Sequence, residues 1–197
     1  MSIRFSRLAA ATAALVVLTL AQSAHAASIE PVAQAYQKLM HARSRSETTV
    51  TDDKGQVTHS RTEFDTYERI HATTEHAEFI VLPEGTWMKT GGGWTKPPVD
   101  MSSMVKRFLP LSEDVVRSAK NVTDDGMATW QGQPAHAYSY DTDATIMGIH
   151  ATGHAKSHLN ASGQIVGSEI DSVAMGKKSH SVQTITYDDS IRVKAPM

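Results

Sequence analysis

The sequence predicts an α+β domain made of one N-terminal helix and antiparallel strands interrupted by a helical insertion. Three observations point there. Apolar residues recur at helical spacing only near the start, at Ile29, Val32, Ala33, Tyr36, Leu39 and Met40. From Arg43 the chain is rich in Thr, Val, Ile, Tyr and Phe, with turn residues at hairpin spacing. Helix and strand patterns do not alternate, which argues against a parallel βαβ sheet.

The first 26 residues read as a cleavable secretory signal. Arg4 and Arg7 form a positive start, Leu8 to Leu20 are apolar apart from Thr12 and Thr19, and Ala24-His25-Ala26 offers small residues at a cleavage site after Ala26. That apolar run is too short to cross a bilayer, which takes roughly 20 residues. No second such run follows, so the mature chain, 27–197, is expected to be a periplasmic single domain that does not span the membrane.

Composition removes several function classes. The chain has no Cys, hence no thiol nucleophile, no disulfide and no lipidated cysteine. Removing the signal takes away two arginines and no acid, leaving 17 basic side chains against 21 acidic ones, a net charge of −4. A mildly acidic chain without a basic run is not expected to bind nucleic acid.

Ser28 is placed to cap the first helix, and Pro31 fits its opening turn. Asp52-Asp53-Lys54-Gly55 is a tight turn between strands Ser46–Thr51 and Gln56–Asp65. Thr66–Thr74, Ala77–Leu82 and Thr86–Thr90 follow, with turns at Pro83-Glu84-Gly85 and Gly91-Gly92-Gly93 before Trp94. Pro97-Pro98 ends this meander. Met101, Met104, Val105 and Phe108 share one face of a helix from Val99, Leu109-Pro110 breaks it, and a second short helix is expected from Ser112 to about Lys120. Strands then resume at Met127–Gln131, His136–Thr142, Thr145–Leu159, Ile165–Met175, Ser179–Thr186 and Ile191–Ala195.

His150, His154 and His158 are spaced four apart. On a helix they would share one face, as in many zinc sites. Within the expected strand, His150 and His154 stand about 13 Å apart, too far to share an ion. A metal would need His136 or His180 from neighbouring strands, so the histidines read as a solvated polar sheet face and no metal or other cofactor is expected; a periplasmic metal-binding protein using its His and Met residues is the lesser alternative. Asp52-Asp53, Asp124-Asp125 and Asp188-Asp189 read as turn acids. No nucleophile elbow and no phosphate loop occurs, and no enzyme is expected.

Apolar chemistry remains. Phe79, Trp87, Trp94, Met101, Met104, Val105, Phe108 and Leu109 gather around the glycine turn and the helical insertion. They would line an adaptable pocket, since Met repacks around differently shaped ligands. They would equally serve as the core under that helix.

The order of elements resembles the LolA/LolB-like fold of periplasmic lipoprotein carriers and related envelope domains. The similar features are the N-terminal helix and Thr48-Thr49-Val50-Thr51-Asp52-Asp53-Lys54-Gly55, followed by Pro83-Glu84-Gly85-Thr86-Trp87-Met88 and Gly92-Gly93-Trp94. After the helical insertion come Gly163-Gln164-Ile165-Val166 and the closing Ile191-Arg192-Val193-Lys194-Ala195-Pro196. The Phe-x-Gln of true lipoprotein carriers has no match; Glu47-Thr48-Thr49 stands there. The resemblance implies a curved, unclosed antiparallel half-barrel whose concave face is covered by helices, with Val99–Lys120 as lid. It implies a cavity for a lipid or the acyl group of a lipoprotein, with an envelope protein as the alternative partner.

Overall fold

The computed structural model describes residues 27–97, 116, 118–146 and 148–196. Helix α1 (Glu30–Met40) opens the chain, with Pro31 in its first turn. Ser28 Oγ accepts from the Glu30 N–H at 3.1 Å, so the cap sits one residue earlier than a regular N-cap. Val32, Ala35, Tyr36 and Leu39 are buried, the i, i+3, i+4, i+7 stripe of a helix lying on a sheet.

Eleven strands follow among the described residues: β1 (Ser44–Asp52), β2 (Val57–Thr66), β3 (Arg69–Thr74), β4 (Glu78–Leu82), β5 (Gly85–Lys89), β6 (Trp94–Thr95), β7 (Lys120–Trp130), β8 (Gln133–Ile146), β9 (Ile149–Leu159), β10 (Ile165–Ala174) and β11 (Lys177–Tyr187). They form a single antiparallel sheet in the order β6-β5-β4-β3-β2-β1-β11-β10-β9-β8-β7. The chain thus starts mid-sheet, meanders to one edge at β6, re-enters at the opposite edge with β7 and meanders back. The first and last strands close the ladder, from Ser44 opposite Tyr187 to Asp52 opposite Ser179. The sheet does not close on itself. It is the α+β half-barrel that the resemblance implied.

Three stretches differ from the sequence reading. Thr145–Leu159 is not one strand. It breaks into a hairpin, with Gly148 at φ +80° supplying the left-handed turn residue. Asp124-Asp125 is not a turn, and Lys120 does not end a helix. Both lie in β7, whose register shifts twice against β8. Asn121 (φ +52°) and Gly126 (φ +75°) hold those bulges, which disguise a long edge strand as loop. Ile191–Ala195 is not a strand and joins no ladder among the described residues; it is held by the buried side chains of Ile191 and Val193. The expected insertion falls largely outside the described residues. Val116 is helical, and β7 begins at Lys120.

The pleat sorts side chains onto two faces. The inner face carries α1, whose buried stripe meets Tyr140, Ala155, Leu159, Ile165 and Ile185. Lys38 Nζ donates to the Ser162 carbonyl at 3.0 Å, tying the helix to the β9–β10 turn. A second inner cluster, Phe64, Ile70 and Val81, lies in the other meander.

Candidate functional site

The inner face between these two clusters is floored by small polar side chains. Register aligns Ser157, Ser168, Gln183, Thr48, Ser60 and Thr74 in one row across six strands, β9, β10, β11, β1, β2 and β3. Ser157, Ser168, Gln183 and Ser46 are buried. They satisfy one another: Gln183 Nε2 donates to Ser46 Oγ at 2.6 Å, and Ser168 Oγ donates to Gln183 Oε1 at 3.5 Å. The Ser157 and Tyr140 hydroxyls lie 3.0 Å apart. Burial, then the neighbouring Tyr140, pushes the Tyr36 phenol well up, so this end of the face stays uncharged. The floor is thus uncharged and polar, where Leu or Phe would make it an apolar core.

Of the expected ligand residues, Phe79 is on this face, half-buried and opposite Ala72 and Met88. Trp87 and Trp94 are on the other face. Trp87 is one residue out of phase with Met88 and stands opposite Ile80. Both tryptophans pack with Ile80, Leu82, Ile191 and Val193. Lys96 lies 5.3 Å from the Trp87 ring centre and Lys89 5.8 Å from that of Trp94, contacts typical of cations over aromatic faces. Phe79 and the two tryptophans are therefore not brought together. Met101, Met104, Val105, Phe108 and Leu109 lie outside the described residues.

The histidines divide as well. His150 and His154 are exposed, as a solvated sheet face requires. Each meets an aspartate on β8: His154 Nδ1 is 2.8 Å from Asp141 Oδ1, and His150 Nε2 is 2.8 Å from Asp143 Oδ1. His180 repeats the arrangement with Asp171 at 2.8 Å. The Asn121 amide and then His154 hold the Asp141 carboxyl below its usual range; His150 and then Lys120 do the same for Asp143. A groove of about 780 Å³ runs past His154, Asp171 and His180. Among the described residues no three His, Asp or Glu side chains are grouped to hold a metal ion.

His158 departs from the sheet-face reading. It is 5% exposed and stacked under Trp130. Trp130 reaches it because Ala135, Ala137 and Gly167 leave space on the strands beneath.

Sequence reasoning missed the hydroxyl floor as a feature. Its trace is a period of two, at Ser44, Ser46, Thr48 and again at Ser179, Ser181, Gln183, which reads as ordinary polar strand until the pairing shows it facing inward.

No protein-family model matches the sequence, and no curated protein matches it. Solved structures do. The fold is similar to that of the lipoprotein LppX of Mycobacterium tuberculosis, with a TM-score of 0.59 and 10% identity over 84% of this chain and 97% of that one. It is also similar to LprF of Mycobacterium bovis, at 0.57 and 13% over 87% of this chain and 99% of that one. A LolA superfamily protein of Nitrosomonas europaea superposes more loosely, at 0.33 and 6% over 82% and 92%, too loosely to carry an argument. The chain has the open half-barrel fold of LppX and LprF, matched over nearly their full length. Among the described residues no helix is long and apolar enough to cross a membrane.

Proposed function

We propose that the protein is a non-enzymatic periplasmic carrier or binder of a lipid, or of the acyl group of a lipoprotein, delivered to the periplasm by cleavage after Ala26. One observation carries the reading: an unclosed sheet whose inner face, between two apolar clusters, is floored by short, uncharged side chains. That floor suits a flexible guest. Acyl chains gain about 0.8 kcal/mol per buried CH₂ and ask little of the floor beyond room and freedom from charge.

The connectivity supports a cover over the same face. The β6 and β7 strands are opposite edges, and the chain returns to β7 on the inner side, where Val116 and Ala119 pack against the α1 cluster. In this reading Met101, Met104, Val105, Phe108 and Leu109 supply the apolar underside of the lid, and Phe79 faces them from the sheet. Trp87 and Trp94, on the outer face, do not line the cavity.

The test is cross-linking with a fatty acid bearing a diazirine in its chain. Labelling should fall on inner-face residues such as Ala72, Phe79 and Met88 and on the segment 99–109, and should be suppressed by Phe79→Asp. Labelling of Trp87 and Trp94 instead, or none that saturates, would contradict the carrier reading. An envelope protein as partner on the same fold would then be the better account, with the groove beside His154 and His180 as its place to bind.

A further inference from the structure

The hairpin tips farthest from α1 expose apolar side chains that the fold itself does not use. Met175 is 79% exposed, Ile149 42% and Val173 39%. They sit on neighbouring hairpins, β8–β9 and β10–β11, whose strands pair with Ala151 opposite Ala174. The β1–β2 tip lies alongside, since Asp52 stands opposite Ser179, and it adds Val57 at 46%. The opposite ends of β9 and β10 lie under the helix at Leu159 and Ile165. The tips are therefore at the end of the sheet away from α1.

Met175 is also in the wrong conformation for its type. It occupies the first central position of a tight turn at φ +53°, before Gly176 at φ +75°. Asn, Asp or Gly fits that position, and a long side chain there is disfavoured. No packing compensates, because the side chain stands in solvent. A local rule broken without return inside the fold points to use outside it.

The charges around the tip identify the partner. Lys177 and Lys178 follow directly and are exposed, and neither forms an ion pair. No acidic residue falls between Asp171 and Asp188 along the chain, and Asp52 and Asp53 of the neighbouring β1–β2 tip, which share a groove with Lys178, form no ion pair with it. Lys178 stands opposite Val173, so cation and apolar side chain are neighbours across the hairpin. Apolar side chains at a rim with unpaired lysines just behind them match a bilayer interface: the first enter the acyl boundary and the second meet phosphate.

We propose that this end of the sheet, led by Met175, Ile149 and Val173 with Lys177 and Lys178, docks on the surface of a phospholipid bilayer carrying anionic headgroups. The inference rests on the carrier reading, for which it supplies the place of lipid exchange: the guest passes between the bilayer and the inner face at the end away from α1.

The experiment is flotation of the protein with vesicles of three parts phosphatidylethanolamine to one of phosphatidylglycerol. Met175→Asn suits the turn better, so its thermal midpoint should hold or rise while its vesicle-bound fraction falls severalfold. Lys177→Gln with Lys178→Gln should weaken binding by about fivefold per lysine, and the loss should shrink on purely zwitterionic phosphatidylcholine. Failure of the protein to float, or floating that neither variant alters, overturns the docking. So does a Met175→Asn effect seen only in capture by an envelope protein. Labelling by the free diazirine fatty acid separates the two claims, because it needs no bilayer: inner-face labelling without flotation sinks the docking alone, and flotation without labelling sinks the carrier.

Discussion

Trp130 stacks on His158 with ring centres 4.3 Å apart and planes 23° from parallel, covering a histidine on which neither ring nitrogen has a hydrogen-bond partner. The indole reaches across from the edge hairpin and lies directly over Gly167 of β10, where a Cβ would overlap the ring. This contact pins the bulged edge strand β7 to the sheet interior.

Gly167→Ala should therefore displace the indole rather than fill a gap. Overpacking of this kind costs about 1 to 3 kcal/mol. Chemical denaturation should show that loss, and Trp emission should move to longer wavelength as Trp130 becomes wetter. An unchanged midpoint and spectrum would mean that Trp130 does not lie on Gly167 in solution.

The same contact makes stability depend on pH. Burial holds the His158 imidazole below its usual range; Lys156 acts in the same direction, while Glu169 and Asp125 oppose it. Once the pH falls below about 6.5, the unfolded chain takes up a proton that the folded chain refuses, so stability drops as pH falls. The lowered carboxylates Glu63, Asp65 and Asp124 act in the same sense only near and below their own unfolded values, at lower pH. Between pH 7.5 and 5 the thermal midpoint should thus decline. His158→Phe, which keeps the stack and removes the titration, should flatten that decline. An equal slope in the variant would assign it to another group.

The C-terminal tail is a structural strap. Asp65 accepts from Arg43 Nε at 2.7 Å and from the Val193 N–H at 3.3 Å, while Arg69 donates to the Val193 carbonyl at 3.1 Å. Ile191 and Val193 thereby seal Trp87 and Trp94 against Ile80 and Leu82. Ile191→Ala should cost about 2 to 5 kcal/mol. It should also shift Trp emission without weakening lipid cross-linking on the opposite face. A variant that loses labelling while staying folded would show that the two faces are coupled.

Much of this architecture was legible because its signals are local. The helix at Val32 to Leu39 and the Asp52-Asp53-Lys54-Gly55 turn follow from periodicity and turn chemistry. The hairpin at Gly148 was hidden because Ile149 continues the apolar character of Ile146, so only the glycine marks the reversal. Face assignment was the harder matter. Trp87 and Met88 are neighbours in sequence, yet register sends one outward and the other inward, and register depends on pairing among distant strands. For that reason Phe79 was read with the tryptophans although the sheet lies between them. His158 was read with His150 and His154, although small residues on two neighbouring strands let an indole cover it.

If the inner face holds a lipid, native mass spectrometry of the protein purified from its own cells should detect it. The expected species is a mature chain beginning at Ala27 that carries, at one copy per protein, the mass of a lipid or acyl-bearing ligand. That ligand should leave on activation and return when lipid is added. Bare polypeptide mass from those cells, with no added lipid of any chain length retained, would contradict the carrier reading.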